Sequence, residues 1–294
     1  MIVVTTPTGQ IGGELVRLLL EREERIRVVV RDPARLDDAV RQRVEIVSGS
    51  HDDPAVLDRA LSGAEALFWL VPPNPLAPSA EAHYVPFARA GAAAVARHDV
   101  GHVVGVSSAG HGWPEPAGVL SAAFAMDAEL RTSGAAYRAL SMPFYMENLL
   151  RQRAPLSEHG AFSLTCAGDA PLATIATRDV AAVAADLLTD LSWAGQDDLP
   201  VFGPDRLTPE GMAEVISQEL GRPVAYRRMG LDDYATLLRS QGASEQAVGD
   251  LTQAFAAQDH GIYDADWAVA APAPTDFRTW CREVLKPAVH AASS

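Results

Sequence analysis

The sequence predicts an α/β fold whose core is a doubly wound parallel sheet, and three features carry this prediction. Short runs of β-branched residues recur through the first half of the chain. Stretches with the apolar spacing of helices lie between them, and a glycine-containing turn separates the first run from the first helical stretch. Strand and helix patterns that alternate in this way indicate βαβ units, in which helices cover both faces of a parallel sheet.

The β-branched runs are bounded by turn residues, as is typical of buried parallel strands. They lie at Ile2 to Thr5, Ile26 to Val30, Val44 to Val47, Ala66 to Val71, His102 to Ser107 and Tyr137 to Met142. The helices between them are predicted from apolar spacing and from N-terminal caps. They are one that carries Ile11, Leu15, Leu18 and Leu19, one over Pro54 to Leu61 with Asp53 as its N-cap, and one over Tyr84 to Arg97.

Beyond Pro143 the predicted elements follow one another in a mixed order. Strands are predicted at Phe162 to Cys166 and Leu199 to Phe202, and helices at Asp179 to Leu188, Thr208 to Leu220 and Asp232 to Ser240. We therefore expect a smaller C-terminal α/β lobe that binds the substrate. Because no repeat and no low-complexity linker divides the chain, we predict that residues 1–150 form the core and residues 151–294 the lobe of one folding unit.

Composition and charge exclude several classes of protein. The chain has 294 residues, 48% of them hydrophobic, which is typical of a globular protein, and its net charge of -14 includes no separate basic patch that would bind nucleic acid. The cysteines lack the Cys-x-x-Cys spacing of a metal site, and no apolar run reaches the roughly 18 residues of a membrane span. We expect a cytoplasmic protein that acts on a small molecule, with an oligomer possible.

The turn after the first strand has the position and composition of a dinucleotide-binding loop. Gly9 and Gly12 fall where a backbone approaches a pyrophosphate, and the unpaired N–H groups and dipole of the following helix stabilise negative charge. Thr6 stands where the standard pattern has its first glycine, so its backbone must accept a strained turn, and an ordinary glycine-rich turn is the alternative. The predicted cofactor contacts here are Thr6, Thr8, Gly9, Gln10, Ile11 and Gly12.

The end of the second predicted strand is where such folds select the ribose. Arg31, about twenty residues beyond the glycines, could bind a 2′-phosphate and favour NADP, whereas Asp32 could bind a 2′-hydroxyl and favour NAD. Arg31 ends the strand directly and is the better placed of the two, although a surface arginine beside a turn aspartate explains the same pattern. We therefore predict NADP, in its reduced form NADPH, as the cofactor.

These segments resemble the NmrA-like family of atypical short-chain dehydrogenases over nearly the whole chain. The segment from Thr5 to Gly12 is similar to the family's T-G-A-T-G-x-[IVL]-G, Val29 to Pro33 to its V-R-[DN]-P, and Gly49 to Pro54 to its G-D-x-x-D-P. Ser50 replaces the aspartate of the last motif, which is the residue of the family's adenine contact, and Asp52 and Asp53 are interpreted as helix caps.

Later segments extend the resemblance in the same order and spacing. They are Leu130 to Gly134 (L-x-x-S-G), Pro143 to Asn148 (P-x-x-[FY]-x-E-N), Arg178 to Ala181 (R-D-[IV]-A), Gly203 to Val224 (G-P-x-x-L-T through L-G-R-P-V) and Phe277 to Trp280 (F-x-x-[WF]). The family includes NADPH-dependent quinone reductases, isoflavone-reductase-type enzymes and redox-sensing regulators. The resemblance thus implies a Rossmann core that binds NADPH, and it fixes fold and cofactor better than activity.

The proton donor of typical short-chain dehydrogenases is missing. Their Tyr-x-x-x-Lys pair needs a lysine beside the tyrosine, and the only lysine here, Lys286, is far from any tyrosine of the core. His111 and Tyr145 follow the fifth and sixth strands and are the candidate donors, although a surface histidine and a pocket wall explain them equally well. The crevice at the carboxyl ends of the strands should bring the cofactor to Leu70, Val71, Pro72, Ser107 and Pro143.

Other kinds of site are not expected. His98, His102 and His111 have no carboxylate or cysteine at ligand spacing, so no metal is predicted, and Ser107 lacks the G-x-S-x-G turn of a hydrolase. The prediction is therefore an NADPH-dependent oxidoreductase that transfers hydride to a quinone, an enone or an aromatic ketone. A non-catalytic NADP-sensing regulator, and a cyclase or isomerase on the same fold, are the alternatives.

Overall fold

A computed structural model describes residues 1–292. Its contacts divide the chain into two compact units, the first of residues 1–108, 119–141 and 180–199, and the second of residues 109–118, 142–179 and 200–294. The chain therefore passes between the units more than once, because residues 180–199 return to the first. The boundary predicted at residue 150 concerns folding, which contacts alone do not test, and it stays a prediction.

Twelve strands lie in the described residues. They are β1 (Ile2–Thr5), β2 (Ile26–Val30), β3 (Glu45–Ser48), β4 (Ala66–Trp69), β5 (His102–Ser108), β6 (Ala136–Met142), β7 (Phe144–Tyr145), β8 (Ala161–Leu164), β9 (Leu172–Ile175), β10 (Gln196–Pro200), β11 (Arg206–Leu207) and β12 (Ala225–Arg228).

The α-helices of residues 1–292 range from single turns to eighteen residues. They are α1 (Gln10–Glu21), α2 (Asp38–Arg41), α3 (Pro54–Leu61), α4 (Ala80–Arg97), α5 (Val119–Arg131), α6 (Arg153–His159), α7 (Thr177–Thr189), α8 (Pro209–Leu220), α9 (Leu231–Ser240), α10 (Glu245–Asp259), α11 (Asp264–Val269), α12 (Phe277–Trp280) and α13 (Lys286–Ala292). Short 3₁₀ segments cover Pro33–Arg35 and Met146–Gln152, and a π-helical turn covers Cys281–Leu285.

The first unit is built on a seven-stranded sheet with the order β10-β6-β5-β4-β1-β2-β3. β1 pairs in parallel with both β2 and β4, so the order of strands reverses at β1. All residues of β1 and β4 are buried, as expected for strands covered on both faces by helices. The predicted doubly wound Rossmann fold is therefore confirmed, and its ligand-binding crevice should lie at the carboxyl end of β1.

Several boundaries differ from those predicted, and three of them concern β4, α4 and β10. β4 ends at Trp69 instead of Val71, and α4 begins at Ala80, one turn before Tyr84, because the Ser79 hydroxyl caps the Ala82 N–H group. The strand predicted at Leu199 to Phe202 was placed too late, since β10 covers Gln196–Pro200 and forms an edge of the large sheet. Its polar, partly exposed residues lack the apolar pattern of a buried strand.

Two small sheets belong to the second unit, with the orders β11-β9-β7 and β12-β8. A buried network joins its motif segments: the Glu147 carboxylate accepts hydrogen bonds from the Trp280 indole at 3.0 Å and from the Thr177 N–H group at 3.1 Å. The Asp179 carboxylate likewise accepts bonds from the backbone and hydroxyl of Thr275 at 3.0 and 2.8 Å. The segments that carry the resemblance in this half thus hold the unit together.

Candidate active site

The loop between β1 and α1 has a strained start. Thr6 adopts a φ of +52°, a left-handed conformation that a β-branched residue rarely accepts, and the Gly9 N–H group donates to its carbonyl at 3.1 Å. The Thr6 hydroxyl is buried without a hydrogen-bond partner among residues 1–292. The structure thus shows how a threonine makes the turn for which the standard pattern uses glycine.

Gly12 is the position of closest approach within this loop. A Cβ atom built on Gly12 would lie 2.2 Å from the Thr6 carbonyl oxygen, whereas one on Gly9 would lie 3.5 Å from the same atom. Gly9 is the N-cap of α1 and offers no side-chain cap, so the first N–H groups of that helix receive no capping side chain. Uncapped N–H groups at a helix N-terminus suit the binding of a phosphate.

An open cleft of about 340 Å³ lies at the end of β2 and is lined by Thr8, Val30, Arg31, Asp32 and Arg35. The Asp32 carboxylate accepts a hydrogen bond from the Ala34 N–H group at 3.1 Å and so caps the following 3₁₀ turn. Within residues 1–292, Arg31 and Arg35 make no side-chain hydrogen bond or ion pair. The cleft therefore offers two guanidinium groups to an anion, while its carboxylate is already engaged by the backbone.

Arg35 was missed by the sequence analysis, although a signal for it was present. It lies four residues after Arg31, on the turn that Pro33 begins. The turn brings both guanidinium groups to one cleft, and a second basic residue at that spacing could have been weighed as a phosphate ligand.

A buried hydrogen-bonded triad lies beneath the carboxyl end of β5. The hydroxyl groups of Ser107 and Tyr137 both donate to the Asp127 carboxylate, the latter at 2.6 Å, and Asp127 is fully buried. Burial, followed by the charge of Asp127, raises the pKa of the Tyr137 phenol well above its ordinary value. Gly105 makes room for this ring, because a Cβ atom there would lie 2.2 Å from the Tyr137 hydroxyl oxygen.

The triad keeps Ser107 in place, and its other members were not predicted as site residues. Asp127 lies within the mainly apolar helix α5, and Tyr137 lies on β6, so only the folded chain shows that they meet Ser107. A carboxylate on the buried face of a helix was the one signal in the sequence. The Tyr137 hydroxyl donates a hydrogen bond to the buried Asp127 carboxylate, so its hydrogen is engaged in this contact.

The two candidate proton donors both belong to the second unit. His111 is half-buried in a turn between Gly110 and Gly112, whose φ values are +100° and +83°. Tyr145 ends β7 and pairs with Ile175 of β9. The Ala109 N–H group donates to the Met142 carbonyl at 2.9 Å, so the His111 turn starts beside the chain that leads to Pro143.

Imidazole and aromatic rings cluster around the loop that follows β4. His51 lies 5.1 Å from Trp69 and 4.8 Å from Phe87, measured between ring centroids, and His83 lies 5.1 Å from Phe87. His51 is buried, and desolvation lowers its pKa from 6.5 to about 4. The sequence analysis treated the segment around His51 as a departure from the family motif and did not identify the cluster.

Two further expectations bear on the site. Asp53 caps α3 by accepting a hydrogen bond from the Ala55 N–H group at 2.8 Å, as predicted. Among the described residues, no helix combines the length and apolar character needed to cross a membrane. The predicted cytoplasmic location and the expectation of no metal stay predictions.

The sequence matches the family of NAD(P)H-binding proteins over residues 7–191, which include the loop, the cleft and all strands of the large sheet from β2 to β6. The chain belongs to this family. The match begins in the loop between β1 and α1, residues 6–9, which we call the phosphate loop. The uncapped start of α1 and the two guanidinium groups of the cleft suit the phosphates of a dinucleotide. The prediction of a nicotinamide dinucleotide as cofactor is thereby confirmed.

Three relatives of the chain are reductases or oxidoreductases. The chain is 33% identical to (4-alkanoyl-5-oxo-2,5-dihydrofuran-3-yl)methyl phosphate reductase of Streptomyces griseus, covering 82% of this chain and 81% of the relative. It is 28% identical to NAD(P)H azoreductase of Xenophilus azovorans, covering 87% and 86%. The structure of NADPH-dependent quinone oxidoreductase from Escherichia coli, complexed with NADPH, superposes with a TM-score of 0.74 at 24% identity and covers 99% of each chain.

These relatives confirm the predicted coarse activity. The chain is an NAD(P)H-dependent oxidoreductase, because relatives that span most of its length are reductases. The crystal structure supports the fold alone at its level of identity.

Proposed function

We propose that this protein is an NADPH-dependent reductase that delivers hydride to a quinone or an enone, with aromatic ketones as further acceptors. The observation that carries the proposal is the cleft at the end of β2, where Arg31 and Arg35 have no anionic partner in the described chain. A 2′-phosphate supplies that partner, and a 2′-hydroxyl does not. One carboxylate oxygen of Asp32, the residue that would favour NAD, already accepts a hydrogen bond from the 3₁₀ turn.

The remaining contacts with the cofactor follow from the fold. Uncapped N–H groups at the start of α1 would bind the pyrophosphate, and the rigid turn at Thr6 holds that helix end in place. We assign the cofactor to the loop residues, the cleft and the strand ends; they are Thr6, Thr8, Gly9, Gln10, Ile11, Gly12, Arg31, Leu70, Val71, Pro72, Ser107 and Pro143. When bound, NADPH supplies a hydride.

The substrate class is inferred from the relatives and from the missing lysine. The Streptomyces enzyme is named for a substrate whose ring double bond is conjugated with a carbonyl group, and the Escherichia coli enzyme for a quinone. Both are electron-poor conjugated acceptors. Hydride addition to such an acceptor forms a delocalised oxyanion, which needs less help from a proton donor than the alkoxide of a simple ketone. A chain without the Tyr-x-x-x-Lys pair suits this chemistry.

His111 and Tyr145 are the proposed proton donors for acceptors that need one. A protonated imidazole and a phenol both carry a transferable proton, so either could protonate a developing oxyanion. Replacement of a true donor by phenylalanine should lower kcat roughly a hundredfold for a ketone and much less for a quinone. If both replacements leave all acceptors unaffected, water or the substrate itself supplies the proton.

The cofactor preference is tested by binding measurements on wild type, Arg31→Ala and Arg35→Ala. Charge-assisted bonds to a phosphate are worth about 1.5 to 3 kcal/mol, so Arg31→Ala should weaken NADPH binding roughly tenfold to over a hundredfold. The affinity for NADH should not change. Arg25→Ala removes an exposed arginine elsewhere in the same unit and should leave both affinities intact. Equal binding of NADPH and NADH by wild type would contradict the role of the cleft.

Turnover is tested by the decay of NADPH absorbance with a benzoquinone, a butenolide, an aromatic ketone and an azo dye. We expect the conjugated acceptors to be reduced faster than the ketone. Binding of NADPH without turnover of any acceptor would favour the NADP-sensing regulator instead, and absence of binding would favour a cyclase or isomerase that has lost the cofactor.

A further inference from the structure

The loop between β4 and α4, residues 70–79, is unusually poor in hydrogen-bond donors. It contains four prolines, at positions 72, 73, 75 and 78. Proline has no N–H group, so these four positions cannot donate backbone hydrogen bonds, and the turn bond from the Ala77 N–H group to the Asn74 carbonyl at 3.1 Å lies in the later part of the loop. The start of the loop, residues 70–72, is held by contacts with other elements.

Two imidazoles contact the start of this loop or the residue before it. The Nε2 atom of His83 lies 2.9 Å from the Pro72 carbonyl oxygen. A carbonyl oxygen only accepts, so His83 carries its proton on Nε2. The ring of His51 packs against Trp69, the residue before the loop, with 5.1 Å between ring centroids, and the Leu70 backbone raises the pKa of His51.

Phe87 separates the two imidazoles and keeps both in position. Its ring makes edge contacts with His51 at 4.8 Å and with His83 at 5.1 Å. Trp69, the last residue of β4, also makes an edge contact with His51. We call the cluster of the rings of His51, Trp69, His83 and Phe87 the cage. The rings come from the segment between β3 and α3, the end of β4 and the first turns of α4, so the imidazoles link the loop to these elements.

The loop adjoins the parts of the unit that receive the cofactor. Thr5, the residue before the phosphate loop, accepts a hydrogen bond from the Leu70 N–H group at 2.9 Å through its hydroxyl oxygen. The charge of Arg31 lowers the pKa of His51, so the two side chains interact electrostatically. A shift of residues 70–72 would therefore change the contact with Thr5, directly before the loop between β1 and α1.

We propose that His51 and His83 are positioning residues for the cofactor, whose imidazoles hold the proline-rich loop in the conformation that receives the adenosine half of NADPH. This inference rests on the proposed function, because the loop matters only if NADPH binds at the carboxyl ends of β1, β2 and β4. Neither histidine is assigned a contact with the reacting atoms. Their effect is on the affinity for the cofactor.

The test compares the binding of two probes, NADPH and adenosine 2′,5′-bisphosphate, by isothermal titration calorimetry. His83→Leu removes the donor to Pro72 and should weaken the binding of both probes roughly threefold to tenfold, the effect of one hydrogen bond. His51→Leu should act in the same direction. His83→Gln places an amide N–H group near the former Nε2 position and should restore affinity to within about twofold.

His102→Leu is the matched control. Its Nε2 atom lies 3.0 Å from the Trp193 carbonyl oxygen and its ring packs on Trp193 at 4.6 Å, so it makes the same kinds of contact in the same unit. It lies at the start of β5, away from the carboxyl ends of the strands. This variant should lose stability without losing affinity for either probe.

Steady-state kinetics separate positioning from general damage. In His83→Leu the KM for NADPH should rise by the same factor as the Kd, whereas kcat with a quinone stays within about twofold. Unchanged affinity in both His83→Leu and His51→Leu, or an equal loss in His102→Leu, would overturn the inference. If wild type binds both probes but reduces no acceptor, the proposed activity fails while the role of the histidines stands. If wild type binds neither probe, both fail.

Discussion

Acidification is expected to destabilise this protein through the buried imidazole of His51. The residue is only 7% exposed, its Nε2 atom has no partner among residues 1–292, and burial lowers its pKa from 6.5 to about 4. Protonation would place a second N–H group in an apolar cage without an acceptor. The unfolded chain accepts the same proton near pH 6.5, so acid favours unfolding.

The magnitude follows from the two pKa values. Because the folded pKa lies below the unfolded one, the contribution of His51 to stability is complete above pH 6.5 and is lost as the pH falls toward 4. The loss amounts to about 2 kcal/mol at pH 5 and about 3 kcal/mol below pH 4. The charge of Asp52 favours the proton, whereas the charges of Arg31 and His83 oppose it.

The assay is urea unfolding followed by far-ultraviolet circular dichroism at pH 7.5, 6 and 5. Wild type should lose about 2 kcal/mol more than His51→Leu between the first and last pH. Groups that do not interact with His51 titrate equally in both proteins, including Glu147, whose pKa is raised by burial and whose contribution has the opposite sign. Replacement of the exposed His159 by glutamine should leave the pH dependence of wild type unchanged. Parallel pH profiles for wild type and His51→Leu would refute the reasoning.

Two further predictions concern the phosphate loop. Gly12→Val should abolish NADPH binding in a protein that remains folded by circular dichroism, because its Cβ atom would lie 2.2 Å from the Thr6 carbonyl oxygen and force the loop to move; retained affinity would show that the loop does not hold the pyrophosphate. Thr6→Gly should raise the unfolding free energy by about 1 kcal/mol, because glycine accepts a φ of +52° without strain. A loss of stability in urea would mean that the buried threonine side chain outweighs its backbone strain.

Much of the first unit could be predicted because its signals are local. The β-branched runs of β1, β2 and β5 are bounded by turn residues, and each starts within a residue of its predicted position. The second unit was harder, since β9, β12 and α10 were not predicted. Partly exposed strands such as β12 have no apolar run, so their pairing depends on partners that are distant in the chain.

The residues of the candidate site also fall into two groups, those that the sequence could identify and those that it could not. The phosphate loop and Arg31 lie at fixed spacings along one βαβ unit, so the sequence alone could identify them. His51, Asp127 and Tyr137 could not be identified, because each acquires its role from side chains on other elements. A histidine after β3 has no special chemistry until Trp69 and Phe87 surround it.

By itself, the sequence determined the doubly wound fold, the cofactor class and the position of the phosphate loop. These follow from the period of apolar residues and from glycines at a strand-to-helix turn, which act over a few residues. The tertiary structure alone decided that Arg35 joins Arg31 at one cleft and that Asp32 is engaged by the backbone. It also decided that two imidazoles reach the loop after β4. Such contacts depend on burial and on donors meeting acceptors across separate elements, and a linear pattern does not record them.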